Sequence, residues 1–144
     1  HTRSRTVSWA RRCVSATVLG LYPTPSDGSS VPPAHPLAAF LGRIRLLSDL
    51  PEDYDYRYSI ALDEFRILDC QDTARDGSCL ASRANDFAHT WSVALGRMLT
   101  LEDNNCAAEA LIDPITGATT VWLYTIRQIP SGHEAGWSYG DVDH

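Results

Sequence analysis

Few side chains in this chain are placed to do chemistry. His89 is the one histidine inside a strongly patterned stretch, one helical turn beyond Asn85 and two residues before Trp91. Paired with Asp63 or Glu64 it could act as an acid–base couple of the kind small isomerases and hydrolases use. No spacing enforces that pairing, and neighbouring strand residues such as Asp63 and Glu64 point to opposite faces. A solvated turn at 63–64 and an ordinary hydrogen-bonded boundary histidine are the plainer readings. His1, His35, His133 and His144 are scattered. An amino-terminal histidine can chelate copper only with a second histidine from elsewhere in the fold. No cysteine stands near a histidine and no CxxC occurs, so neither a zinc site nor any other metal or cofactor is expected. A G-x-S-x-G elbow and a glycine-rich phosphate loop are both missing.

Two other groups carry possible function. Tyr54, Tyr56 and Tyr58 recur at every second position, which on a strand places three phenol rings on one face. Such a row can line a cavity or meet a partner, because tyrosine is enriched at interfaces; the alternative is a core face with hydroxyls at its rim. We take these three as the expected binding residues. The four cysteines, Cys13, Cys70, Cys79 and Cys106, allow three pairings. Cys70 and Cys79 flank a turn-like stretch containing Asp76-Gly77, which suggests one disulfide and leaves Cys13 with Cys106 for a second. Four reduced core cysteines are the alternative. Paired cysteines and a chain beginning with His1 lead us to expect a secreted or organellar protein whose leader has been removed.

The net charge is −6 over 144 residues, and it is unevenly spread. Residues 1–26 hold four of the twelve arginines and none of the eighteen acids, so the remainder, with eight arginines, carries −10. An acidic body argues against general nucleic-acid binding, which needs dense Lys/Arg against phosphate. Lysine is absent altogether; a GC-rich genome or selection against amine modification would each account for that. No apolar run approaches the roughly 20 residues of a membrane span.

The elements that must position these residues are read from periodicity. Residues 1–22 form a basic segment, with 7–22 strand-prone, and 23–36 a proline-rich loop. From Pro36 to Ser48, Leu37, Phe40, Leu41, Ile44 and Leu47 follow a helical rhythm. Residues 54–62 alternate as a strand, with a turn or bulge near Asp63-Glu64 and a second strand running to Cys70. Asn85 to Leu99 suits a helix presenting Phe87, Trp91, Leu95 and Met98, with a strand pair turning at Gly96-Arg97 as the rival. Cys106–Ile112 and Ala118–Ile129, joined by Asp113-Pro-Ile-Thr-Gly117, make a hairpin, and 130–144 a frayed tail. The expectation is therefore one domain of α+β class, a curved antiparallel sheet with two helices packed on one face, the helix at 36–48 covering the hairpin so that Phe40 and Trp122 share a core. Functionally, the missing catalytic constellation and the tyrosine row suggest a non-enzymatic recognition or accessory domain for a protein partner. A small enzyme or ligand carrier with a pocket near His89 is the rival class.

Overall fold

A computed structural model describes residues 3–9 and 20–140. It corrects the α+β expectation: the regular structure among the described residues is mostly strand, arranged in small antiparallel sheets that do not close, with one α-helix of six residues. The strands are β1 (Arg3–Trp9), β2 (Pro36–Phe40), β3 (Arg43–Leu46), β4 (Ser59–Ala61), β5 (Arg66–Asp69), β6 (Trp91–Ser92), β7 (Arg97–Met98), β8 (Cys106–Ile112) and β9 (Thr119–Thr125). The helix α1 spans Gln71–Asp76. One sheet runs β2-β9-β8 and another β4-β5-β3; β1 pairs with β8 on one side and β4 on the other, joining them in the order β2-β9-β8-β1-β4-β5-β3. The ribbon β6-β7 stands apart.

Both expected helices are absent. Pro36 opens an edge strand, where its missing N–H costs no ladder bond, and the segment reverses at Leu41-Gly42 into β3. A Cβ on Gly42 would lie 2.4 Å from the Asp69 carbonyl oxygen, so this crossing admits only glycine. The stretch 85–99 takes the rival form, a strand pair whose reversal passes through Gly96 at φ 65°, with the Gly96 N–H donating to the Ser92 carbonyl at 2.8 Å. The hairpin β8–β9 forms in the expected place. Asp113 accepts from the Ile115 N–H at 2.8 Å, and Gly117 supplies φ 74°.

The inner faces of β8 and β9, with Phe40, Ile60, Leu62, Leu68, Val31 and Ile129, build one core. Phe40 is buried, but Trp122 is not its partner: residues 121, 123 and 125 face inward, and Trp122 stands half-buried on the opposite face. The ring beside Phe40 is Trp137, at 5.4 Å between centroids, and Tyr139 meets Trp137 edge-on at 5.4 Å. Residues 130–140 are thus no frayed tail. Ala135, Trp137 and Tyr139 are buried, and their backbone threads between two loops through parallel bridges Asn85↔Gly136 and Cys106↔Trp137.

Side chains lock that crossing. Asp86 accepts from the Asn104 amide at 2.9 Å and the Tyr139 N–H at 3.1 Å, and Asn105 accepts from the Gly136 N–H at 2.9 Å. The Tyr139 hydroxyl donates to the Ala84 carbonyl at 3.0 Å.

Candidate functional site

The tyrosine row is not a strand face. Tyr56–Tyr58 form a 3-10 turn that leads into β4, capped by Asp55, whose carboxylate accepts from the Arg57 N–H at 3.1 Å. All three rings are half-buried. Tyr54 and Tyr56 pack edge-to-face at 4.8 Å, the Arg45 guanidinium lies 5.5 Å from the Tyr54 ring centre, and Tyr58 packs against the core. Arg45 also pairs with the buried Asp69 at 3.2 Å. Burial opposes the charge on Asp69, but the Gln71 N–H, the Tyr54 hydroxyl and the Arg45 guanidinium outweigh it and hold the carboxyl below its usual value. Burial, followed by the adjacent Asp69, raises the Tyr54 phenol. Tyr54 and Tyr56 therefore serve as packing for a part-buried ion pair, one edge of which reaches solvent.

His89 is exposed at the base of the β6–β7 ribbon, in the left-handed region at φ 65°, and its N–H donates to the Leu99 carbonyl at 2.9 Å. A non-glycine residue seldom adopts that backbone conformation. Asp63 does not serve it: that carboxylate accepts from the Phe65 and Arg66 N–H groups and from the Arg66 guanidinium, each at 2.8 Å. An open cleft of about 450 Å³ does lie at His89, lined also by Met98, Leu99, Thr100, Leu101 and Glu102. Among the described residues no cluster of three potential metal ligands occurs. His1 and His144 lie outside the described residues.

The expected disulfides are corrected. Cys70, Cys79 and Cys106 are free and buried, and Cys13 lies outside the described residues. A hydrogen bond from the Cys70 thiol draws Cys79 down to about 6, against its burial and aided by the Leu41 N–H at 3.4 Å; the same contact and burial push Cys70 up. Burial takes Cys106 up to about 12, against the opposing pull of a backbone hydrogen bond at Gly136. The expectation of a secreted or organellar protein rested on those pairings together with a chain beginning at His1, and the absence of the pairing among the described cysteines overturns it.

What the sequence reading missed is the surface of the ribbon. Trp91, Leu95 and Met98, expected to face inward from a helix, are exposed, as are Val93 (87% exposed) and Leu101. Trp91 and Met98 stand opposite one another across the ribbon. The apolar group is held in place by polar bonds at its base. Arg97 grips Asp103 through two bonds of 2.9 Å, and Asp103 accepts from the Thr100 N–H at 2.7 Å in a capping box on the next 3-10 turn. The Arg97 bonds and the Thr100 N–H keep the Asp103 carboxyl well below the usual carboxylate range. The available signal was Gly96 within an apolar stretch, which marks a reversal as well as a helix flaw.

No protein-family model matches this chain, and neither a curated protein nor a solved structure shows significant similarity to it. No helix among the described residues is long and apolar enough to cross a membrane.

Proposed function

We infer that this is a recognition domain that binds a protein partner through the β6–β7 ribbon and the adjoining cleft at His89. One observation carries the reading: five large apolar side chains, Trp91, Val93, Leu95, Met98 and Leu101, are exposed within eleven residues on a ribbon fixed by ion-paired and capped turns. Contiguous exposed apolar surface of this kind marks interaction sites. Fixing it in advance lowers the ordering cost that association must offset. Tryptophan is the side chain most enriched among residues that dominate binding. The His89 cleft, walled by Met98 and Leu101, offers a socket for one partner side chain. Tyr54, Tyr56 and Tyr58 are secondary candidates, since each keeps part of its ring in solvent.

The test is a photo-crosslinking amino acid placed at Val93, with Gln128 as a control position, in extract from the source cells. A discrete heterologous adduct at 93 that excess unlabelled protein displaces is expected. A Trp91→Ala competitor should be weaker by about 2 kcal/mol or more, roughly 30-fold. Equal competition by Trp91→Ala would remove the ribbon from the binding surface. An adduct only with a second copy of the chain would replace the partner by self-association.

A further inference from the structure

On the outer face of the β2-β9-β8 sheet lies a second cleft, of about 380 Å³, lined by Ala34, Pro36, Glu109, Leu111, Trp122 and Tyr124. Its floor follows from strand parity. Alternate residues of β8 and β9 turn inward, leaving Glu109 and Leu111 beside Trp122 and Tyr124 on the other face. Glu109 stands directly across from Trp122, and Pro36 across from Tyr124. Cross-strand Cβ atoms are about 5 Å apart, and residues two apart on a strand are about 7 Å apart. One carboxylate and two aromatic rings therefore border the same small space.

The wall is fixed as well. The Ala34 N–H donates to the Thr125 carbonyl at 2.8 Å, and the His35 N–H donates to the Thr125 hydroxyl at 2.9 Å. Among the described residues no arginine or histidine pairs with Glu109, and the chain contains no lysine that could. The carboxylate's field nevertheless reaches the cleft, because Tyr124 is raised first by burial and then by Glu109.

We propose that this cleft binds a small quaternary ammonium compound. A cation is favoured over the faces of Trp and Tyr within about 6 Å, and Glu109 supplies the opposite charge. A primary ammonium is compact and strongly hydrated, and it loses water contacts against the apolar walls that Pro36, Leu111 and Ala34 give this cleft. A permethylated nitrogen has no donor to satisfy and buries its methyl groups against Pro36 and Leu111. The net charge of −6 concentrates cations around the molecule.

The test is titration of the full chain with choline, followed by calorimetry and by chemical shifts of the Trp122 indole, at matched ionic strength. The comparison ligand is its neutral analogue with carbon in place of nitrogen. Saturable choline binding is expected, weakened about tenfold in the analogue, about fivefold in Glu109→Gln, and lost in Trp122→Leu. Glu109→Gln preserves shape, so it decides the matter even if Trp122→Leu fails to fold. Equal affinity for the neutral analogue, an unchanged Glu109→Gln, or no saturable choline binding would each overturn the proposal. A trimethyl-lysine peptide that binds more tightly than choline would assign the cleft to a protein tail and overturn the small-molecule reading.

Discussion

Asp69 is the residue on which the tyrosine-bearing half of the molecule turns. It accepts from the Gln71 N–H at the start of α1 at 3.0 Å, pairs with Arg45 and adjoins Tyr54, all with its side chain only 7% exposed. Removing one partner from such a set leaves the other charge stranded, which costs more than the pair contributes. Asp69→Asn should lower stability by about 1.5–3 kcal/mol, the range for hydrogen bonds to charged groups, in denaturant melts. Its folded carboxyl lies below the unfolded value near 4. The stabilisation is therefore present above that value and fades as pH falls through the folded one. The wild type should lose stability as pH drops below about 5, while Asp69→Asn shows a shallower acid limb; parallel limbs would mean Asp69 is not the titrating group. The cysteines make a second expectation at this scale. Cys70, Cys79 and Cys106 should all alkylate after denaturation without reductant, and peptide masses would show any that stay blocked.

Elements fail or form here according to what the backbone must cross. The stretch 36–48 carries apolar residues at helical spacing, yet the same residues also serve two short strands, and nothing in the periodicity reports that Gly42 rests on the Asp69 carbonyl. Gly42→Ala would lengthen helix propensity while driving a methyl group into backbone. A loss of about 1–3 kcal/mol is expected, the range for an added methyl group that forces backbone to shift, and a stabilised variant would show that the crossing relaxes freely. The hairpin β8–β9 was legible because its pattern is local: a run of Val, Thr and aromatic residues follows directly on a Pro/Gly turn. The crossing of 134–139 past 85–86 and 105–106 was not. It is held by Asp and Asn side chains bonding distant backbone, which leaves no period to read. The sites divide the same way. Trp122 and Tyr124 were visible as strand residues, but which face was outermost depended on Trp137 arriving from the end of the chain to cover the other. Tyr54–Tyr58 alternated as a strand would, and folded as a turn because the Asp55 carboxylate captures the Arg57 N–H and guanidinium.

At the scale of the whole molecule, one strand makes two sheets into a single body. The basic amino-terminal segment contains β1, with five register pairs to β8 and two to β4. Both neighbours are otherwise bare on that side, so β8 and β4 would each become an open edge without it. Open edges recruit other chains, and each lost backbone bond costs about 1 kcal/mol net. Removal of residues 1–9 should therefore lower the melting temperature by at least about 10 °C, given that 1 kcal/mol moves a chain of this size by about 2–4 °C, and should produce concentration-dependent aggregation. A synthetic peptide of residues 1–9 added in trans should restore part of the lost temperature, whereas a scrambled peptide of equal charge should not. The scrambled control matters, because residues 1–9 carry two arginines and the remainder of the chain is acidic. Rescue by the scrambled peptide would show that charge, not strand pairing, is what β1 supplies. An unchanged melting temperature in the truncated chain would show that the two sheets hold together through their shared core alone.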